Sequence, residues 1–150
     1  MENVKEIMLP DGWLVDKIDN GKIILKEDDS KPIIKWNKDK DGVEVKADGY
    51  HFIVANMPNL SADWFNGRII CEKWDGYLPS LGELKIMNRY YYEINRCFAI
   101  NGALCIDAKM LWSNNKHEVI YATCFILKTN EIVNFGKNNV NVNIRAFRKP

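Results

Sequence analysis

Two histidines, His51 and His117, and four cysteines, at 71, 97, 105 and 124, are the side chains best suited to nucleophilic or metal chemistry. A histidine within reach of a thiol or hydroxyl can serve as its base, and cysteines spaced C-x-x-C or clustered with histidine hold zinc. Neither spacing occurs here, and neither histidine lies in a local catalytic motif. Three cysteines stand in apolar surroundings, in Ile69-Ile70-Cys71, Leu104-Cys105-Ile106 and Thr123-Cys124-Phe125, where a thiol packs like a small hydrophobe. A disulfide pair stays open at this level. Asp28-Asp29 and Asp39-Lys40-Asp41-Gly42 resemble fragments of a metal loop, but the ligand set and closing glutamate of an EF-hand are missing, and solvated turns suit them better. No metal, no cofactor and no enzymatic activity are expected.

The bias that stands out is in amides. Asn114, Asn115, Asn130, Asn134, Asn138, Asn139, Asn141 and Asn143 crowd the C-terminal quarter. An amide both donates and accepts, so a surface of them can read protein backbone or sugar hydroxyls. An A/T-rich genome, in which asparagine codons are common, explains the same bias without function.

These residues need a scaffold, and the composition supplies one. With 150 residues, 47% hydrophobic and 27% charged, the chain is long enough for one core without staples. Lys plus Arg is 21 against Asp plus Glu at 20, so the basic excess that accompanies phosphate-backbone binding is absent and nucleic acid is not an expected partner. No apolar stretch approaches the ~18 residues of a membrane span, and Met1 to Glu6 contain no apolar segment of a signal peptide. That favours a phage virion or cytoplasmic product, or a secreted or cell-surface one only if a leader has been removed.

Trp13 to Ile18 and Lys22 to Lys26 flank Asn20-Gly21 and predict a β-hairpin. Ile33 to Trp36, Val43 to Ala47 and Tyr50 to Ala55 predict further strands, the middle one alternating apolar and charged. Ser61 is the expected N-cap of a first helix whose inner face carries Ala62, Phe65 and Ile69. Ser80-Leu81-Gly82-Glu83 is a capping box that opens a second helix, with Leu84, Met87, Tyr91, Ile94 and Phe98 as one apolar stripe. Within Tyr90-Tyr91-Tyr92 only one ring of the three can face inward on that helix. His117 to Leu127 is apolar on both alternating faces, the pattern of a central strand. Glu131 to Phe135 and Val140 to Phe147 follow as strands. In the last, Val140, Val142, Ile144 and Ala146 are expected inward, with Asn139, Asn141, Asn143 and Arg145 forming an amide-lined outer surface.

The stretch Gly76-Tyr77-Leu78-Pro79-Ser80-Leu81-Gly82-Glu83-Leu84 resembles the W-x-LPS-x-x-EL element of the Fibrobacter major paralogous domain family, a C-type-lectin-like group found in gut bacterial surface proteins and phage proteins. Ile94-Asn95, Trp112-Ser113-Asn114 and the closing Ile144-Arg145-Ala146-Phe147-Arg148 follow in the family's order, so the likeness covers roughly residues 60 to 148. It implies an α+β, C-type-lectin-like fold: two helices packed on antiparallel sheet, preceded by an N-terminal β-hairpin extension. The chain is then one domain, with residues 1–57 a β-rich extension and residues 58–150 the lectin-like core. The Glu-Pro-Asn and Trp-Asn-Asp elements through which lectin members hold calcium are absent, so binding is expected to be calcium-independent.

Fold does not dictate function. The reading these residues favour is a recognition module that binds a protein or glycan ligand through Trp112, Asn114, Asn115, His117, Asn139, Asn141 and Asn143. The alternative is a structural or assembly protein, such as a virion or fibre subunit, and either could form a homo-oligomer.

Overall fold

Positive backbone φ marks where this chain turns. Asn20 and Gly21 have φ of 49° and 80°, the pair of signs that a type I′ hairpin turn requires, and Trp13–Asp19 (β1) accordingly pairs antiparallel with Lys22–Glu27 (β2). The computed structural model describes residues 13–27 and 31–150. The segment before Trp13 and the Asp28-Asp29 pair lie outside the described residues.

Turns with positive φ at Asp41 and at Asp48-Gly49 fold Ile33–Asn37 (β3), Gly42–Ala47 (β4) and Tyr50–Ala55 (β5) into an antiparallel meander, with Val43 opposite both Trp36 and Val54. The alternation in β4 has the expected result: Val43, Val45 and Ala47 are buried, while Glu44 and Lys46 are only partly covered. Phe147–Arg148 (β11) completes this sheet by pairing with β5, giving the order β11-β5-β4-β3. A second sheet has the order β6-β10-β7-β8-β9. Its strands are Leu60–Ser61 (β6), Met110–Lys116 (β7), Tyr121–Ile126 (β8), Glu131–Gly136 (β9) and Asn143–Ile144 (β10). All pairings are antiparallel except that of β10 with β7, where Asn143 meets Leu111 in parallel. The fold is therefore α+β with mostly antiparallel sheet, as expected.

Among the described residues three helices, not two, pack on these sheets: Trp64–Lys73 (α1), Leu81–Arg89 (α2) and Tyr91–Ile100 (α3). The capping box holds, with the Glu83 N–H donating to Ser80 Oγ and the Ser80 N–H to the Glu83 carboxylate. The helix it starts breaks at Tyr90 (φ −109°, ψ 27°). Leu84, Met87, Ile94 and Phe98 are still fully buried. The break lets both Tyr90 and Tyr91 pack against the core, and Tyr92 alone of the three is strongly exposed.

The core has two parts. Val43, Val45, Phe52 and Val54 meet α2 and α3 in one, and Trp64 and Cys71 of α1 meet Trp112, Ala122, Cys124 and Ile144 in the other. The central strands β7 and β8 feed both, Leu111 and Phe125 into the first, Trp112 and Cys124 into the second, so this pair is covered on both faces.

Residues 33–55 supply much of the first core and pair with the C-terminal strand, whereas the hairpin β1–β2 forms a sheet of its own. Several expectations are corrected. Ser61 lies in β6, and the helix is capped by Asp63, whose carboxylate accepts from the Asn66 N–H. On α1 the buried residues are Trp64, Gly67 and Cys71, while Phe65 and Ile69 face out. Gly67 is what allows this choice, since a Cβ there would sit 2.9 Å from the Ile144 side chain. The strand expected from His117 begins at Tyr121, which leaves Val119 and Ile120 in an exposed loop. The last expected strand is broken into β10 and β11 in different sheets, and Arg145 between them is buried rather than outward.

Candidate functional site

Three segments converge at one end of the second sheet: the start of α1, the β7–β8 loop and the turn after β9. Lys137 joins them. Its carbonyl accepts from the Trp64 N–H (2.9 Å), its N–H donates to the Ile120 carbonyl (2.8 Å), and its Nζ donates to the Val119 carbonyl (2.8 Å). Two indoles brace the same region, Trp64 Nε1 donating to the Ser113 carbonyl (2.9 Å) and Trp112 Nε1 to the Ala62 carbonyl (2.8 Å). Between these segments lies a cleft of about 480 Å³, lined by Phe65, Val119, Ile120, Tyr121, Gly136, Lys137 and Asn138.

The cleft combines exposed apolar walls with a buried cation. Val119 is 87% exposed, Ile120 62% and Phe65 54%, well beyond what scattered surface hydrophobes need when they share one concavity. Lys137 is only 6% exposed. Its ammonium lies 4.8 Å from the Trp64 ring and 5.5 Å from that of Phe65, so ring faces and one carbonyl replace water around it. Among the described residues it has no carboxylate partner. Arg68 and Lys116 also approach the Trp64 ring, at 5.0 and 5.7 Å.

The residues singled out in the sequence are divided by the structure. Trp112 is fully buried and positions the site without being able to touch a ligand, which corrects its expected role. Asn114, Asn115 and His117 are exposed at the end of β7 and in its loop. Asn114 lines a separate cleft of about 210 Å³ with Arg68, Glu72 and Tyr77, and its N–H is bonded to the Pro79 carbonyl. Asn139 is half-buried and shapes the turn beside the main cleft, its Oδ1 accepting from the N–H of exposed Asn141. Asn143 lies inside the sheet between β6 and β7 and donates to the Leu60 carbonyl at 3.4 Å. The amides thus form no continuous face. Phe65, Val119, Ile120 and Lys137 were not singled out: the first three read as core by hydrophobicity, and nothing in the sequence marks a lysine for burial.

Elsewhere, His51 bonds Glu44 at 3.0 Å on the sheet surface. Burial pushes the Cys71 thiol up to about 12 and that of Cys124 to about 11, so neither is a thiolate at neutral pH. All four cysteines are free, and Cys105, expected inside, is exposed. Among the described residues no group of three His, Cys, Asp or Glu side chains is placed to hold a metal ion, and no helix is long and apolar enough to cross a membrane. A cleft of about 570 Å³ holds Asp39, Asp41, Asp75 and Arg148. The Arg148 guanidinium there donates to the carbonyls of Trp74, Lys40 and Asp41 and pins the turn before β4.

The Gly76 to Leu84 stretch and the closing Ile144 to Arg148 segment meet. Tyr77 and Phe147 exchange backbone hydrogen bonds of 2.9 and 3.0 Å, and the Tyr77 hydroxyl donates to the same Glu83 carboxylate that closes the capping box (2.7 Å). Arg145, next to this junction, donates to the carbonyls of Ala55 and Met57 and to Asn59 Oδ1. No protein-family model matches the chain, and no curated protein sequence matches it.

Proposed function

We propose that the chain is a calcium-independent, non-catalytic recognition module on a C-type-lectin-like scaffold, of gut bacterial or phage origin, binding a protein or glycan ligand at the end formed by α1, the His117 to Ile120 loop and the Lys137 to Asn141 turn. The observation that carries the reading is the cleft itself: Phe65, Val119 and Ile120 are exposed around it while Trp64, Trp112 and Lys137 hold its three segments in place. A preformed concavity with apolar walls and a few polar groups is the usual form of a binding site. The meeting of Tyr77 with Phe147 supports the scaffold assignment, because Tyr77 directly precedes the LPS-x-x-EL element, donates to its Glu83, and ties it to the closing Ile144 to Arg148 segment. An array of glycans and bacterial surface proteins, probed with the wild-type chain and with Ile120→Ser, tests the reading. Binding that is lost in the variant supports it, and no binding to any member of the array removes it.

One observation favours the second reading, an assembly subunit. The hairpin β1–β2 sets Val15 opposite Leu25 and Ile18 opposite Ile23 on one face, and all four are exposed. Two-stranded sheets are marginal alone. Light scattering on the wild-type chain and on Ile18→Lys separates the readings: an oligomer that dissociates in the variant favours assembly.

A further inference from the structure

Resting on the recognition reading, we infer that the cleft takes an acidic and hydrophobic peptide segment of a partner protein, an apolar side chain lodging among Phe65, Val119 and Ile120 and a neighbouring carboxylate meeting the Lys137 ammonium.

Charge sets the first half of the argument. Lys137, Lys116 and Arg68 all approach the Trp64 ring, within 5.7 Å of its centre. The nearby carboxylates do not answer them: the Asp63 oxygens accept from the N–H and side-chain amide of Asn66, and neither Glu72, which lines the smaller cleft with Arg68, nor Glu118, exposed in the loop, forms an ion pair among the described residues. An ammonium has three donors, and the Val119 carbonyl takes one. A buried cation without a counter-ion is the circumstance in which an incoming carboxylate gains most, because the desolvation of the cation has already been met in folding.

The walls decide between peptide and sugar. Val119 and Ile120 offer no donor or acceptor from their side chains, and a sugar pressed between them would leave hydroxyls dry and unpaired. The Phe65 ring, on which a sugar could stack, has Lys137 Nζ 5.5 Å from its centre and sets its plane at 79° to Trp64. Aliphatic side chains suit these walls. Asn138, whose amide both donates and accepts, stands at the rim for the peptide backbone.

The test is selection from a displayed random library of peptides about twelve residues long, run in parallel on the wild-type chain, on Lys137→Met and on the surface variant Arg68→Gln/Lys116→Gln. The inference expects wild-type selectants in which Asp or Glu stands within two positions of Leu, Ile, Phe or Met. It also expects the acidic preference to vanish in Lys137→Met while the apolar preference survives. In the double variant the best selectant should weaken about fivefold or more, and its wild-type affinity should fall as salt rises. Should Lys137→Met not fold, the double variant and the salt series decide alone. Selectants without acidic residues, an acidic preference unchanged in these variants, or no selectants at all would overturn the inference. If the array yields ligands under those circumstances, the recognition reading survives its refinement; silence in both experiments ends both.

Discussion

Trp64 and Trp112 are locked to each other's strand or helix entry: the indole of Trp112 donates to the Ala62 carbonyl at 2.8 Å, two residues before Trp64, and the indole of Trp64 donates to the Ser113 carbonyl at 2.9 Å, one residue after Trp112. Both rings are buried. The start of α1 is thereby fixed to β7, and with it the spacing between Phe65 and the loop that carries Val119 and Ile120.

Trp112→Phe keeps much of the ring volume and removes the donor. The Ala62 carbonyl is left dry, at a cost of about 1–3 kcal/mol, read by urea unfolding. Affinity of the folded variant for an array-identified ligand is expected to stay within about twofold of wild type, because Trp112 does not reach the surface and the bond from the Trp64 indole to the Ser113 carbonyl still ties α1 to β7. A loss of affinity with unchanged stability would restore it as a contact residue.

Arg145 is a second brace. The residue is 1% exposed, and its guanidinium donates to two carbonyls and the Asn59 amide oxygen. Burial lowers its pKa to about 10, so it remains charged at neutral pH. Arg145→Met is expected to destabilise by about 3 kcal/mol or more, since several acceptors lose their donor together. A variant as stable as wild type would show that the segment from Ala55 to Asn59 does not depend on it.

Asp63 gives acid sensitivity a named source. The Asn66 backbone N–H holds its carboxyl below the usual value of 3.8. A depressed folded-state pKa stabilises above the unfolded value and ceases to do so as pH falls through the folded one. At neutral pH Asp63→Ala is expected to cost about 1 kcal/mol, and this difference from wild type should shrink steadily below about pH 4. Asp63→Asn, which caps without titrating, should keep its advantage over Asp63→Ala unchanged across the same pH range.

The thiols should label in order of access. Cys105 is exposed, Cys97 is half-buried with a raised pKa from burial, and Cys71 and Cys124 are buried. With a thiol reagent at pH 8 the first should react at once, the second slowly, and the last two only on unfolding. Mass spectrometry of the labelled chain checks the sequence of events.

Local chemistry was legible and tertiary choices were not. The Ser80-Glu83 capping box and the Asn20-Gly21 turn act over three or four residues, so the sequence contains everything they need. On α1, two apolar rows compete, Phe65 with Ile69 and Trp64 with Cys71. Hydrophobicity favours neither, and the bare backbone of Gly67 against Ile144 settles it. Val119 and Ile120 continue the apolar run of β8, and a short apolar run does not reveal where pairing stops. Arg145 fell on the wrong face because alternation assumes one continuous strand, whereas the chain changes sheets between Ile144 and Phe147. Of the eight C-terminal asparagines, four stand in turns, among them Asn130, with φ of 60°, and Asn139, and the other four lie in strands of the second sheet, so they form no single surface.

The central claim is that a ligand is held by the exposed walls of the Lys137 cleft. The direct measurement is the dissociation constant of one array-identified ligand for wild type, Phe65→Ala, Ile120→Ser and, as an exposed control on α3, Tyr92→Ala. Both cleft substitutions should weaken binding about tenfold or more, the control should not, and all three should leave stability within about 0.5 kcal/mol of wild type. Cleft variants that bind as wild type does, or a loss confined to Tyr92→Ala, would contradict the account.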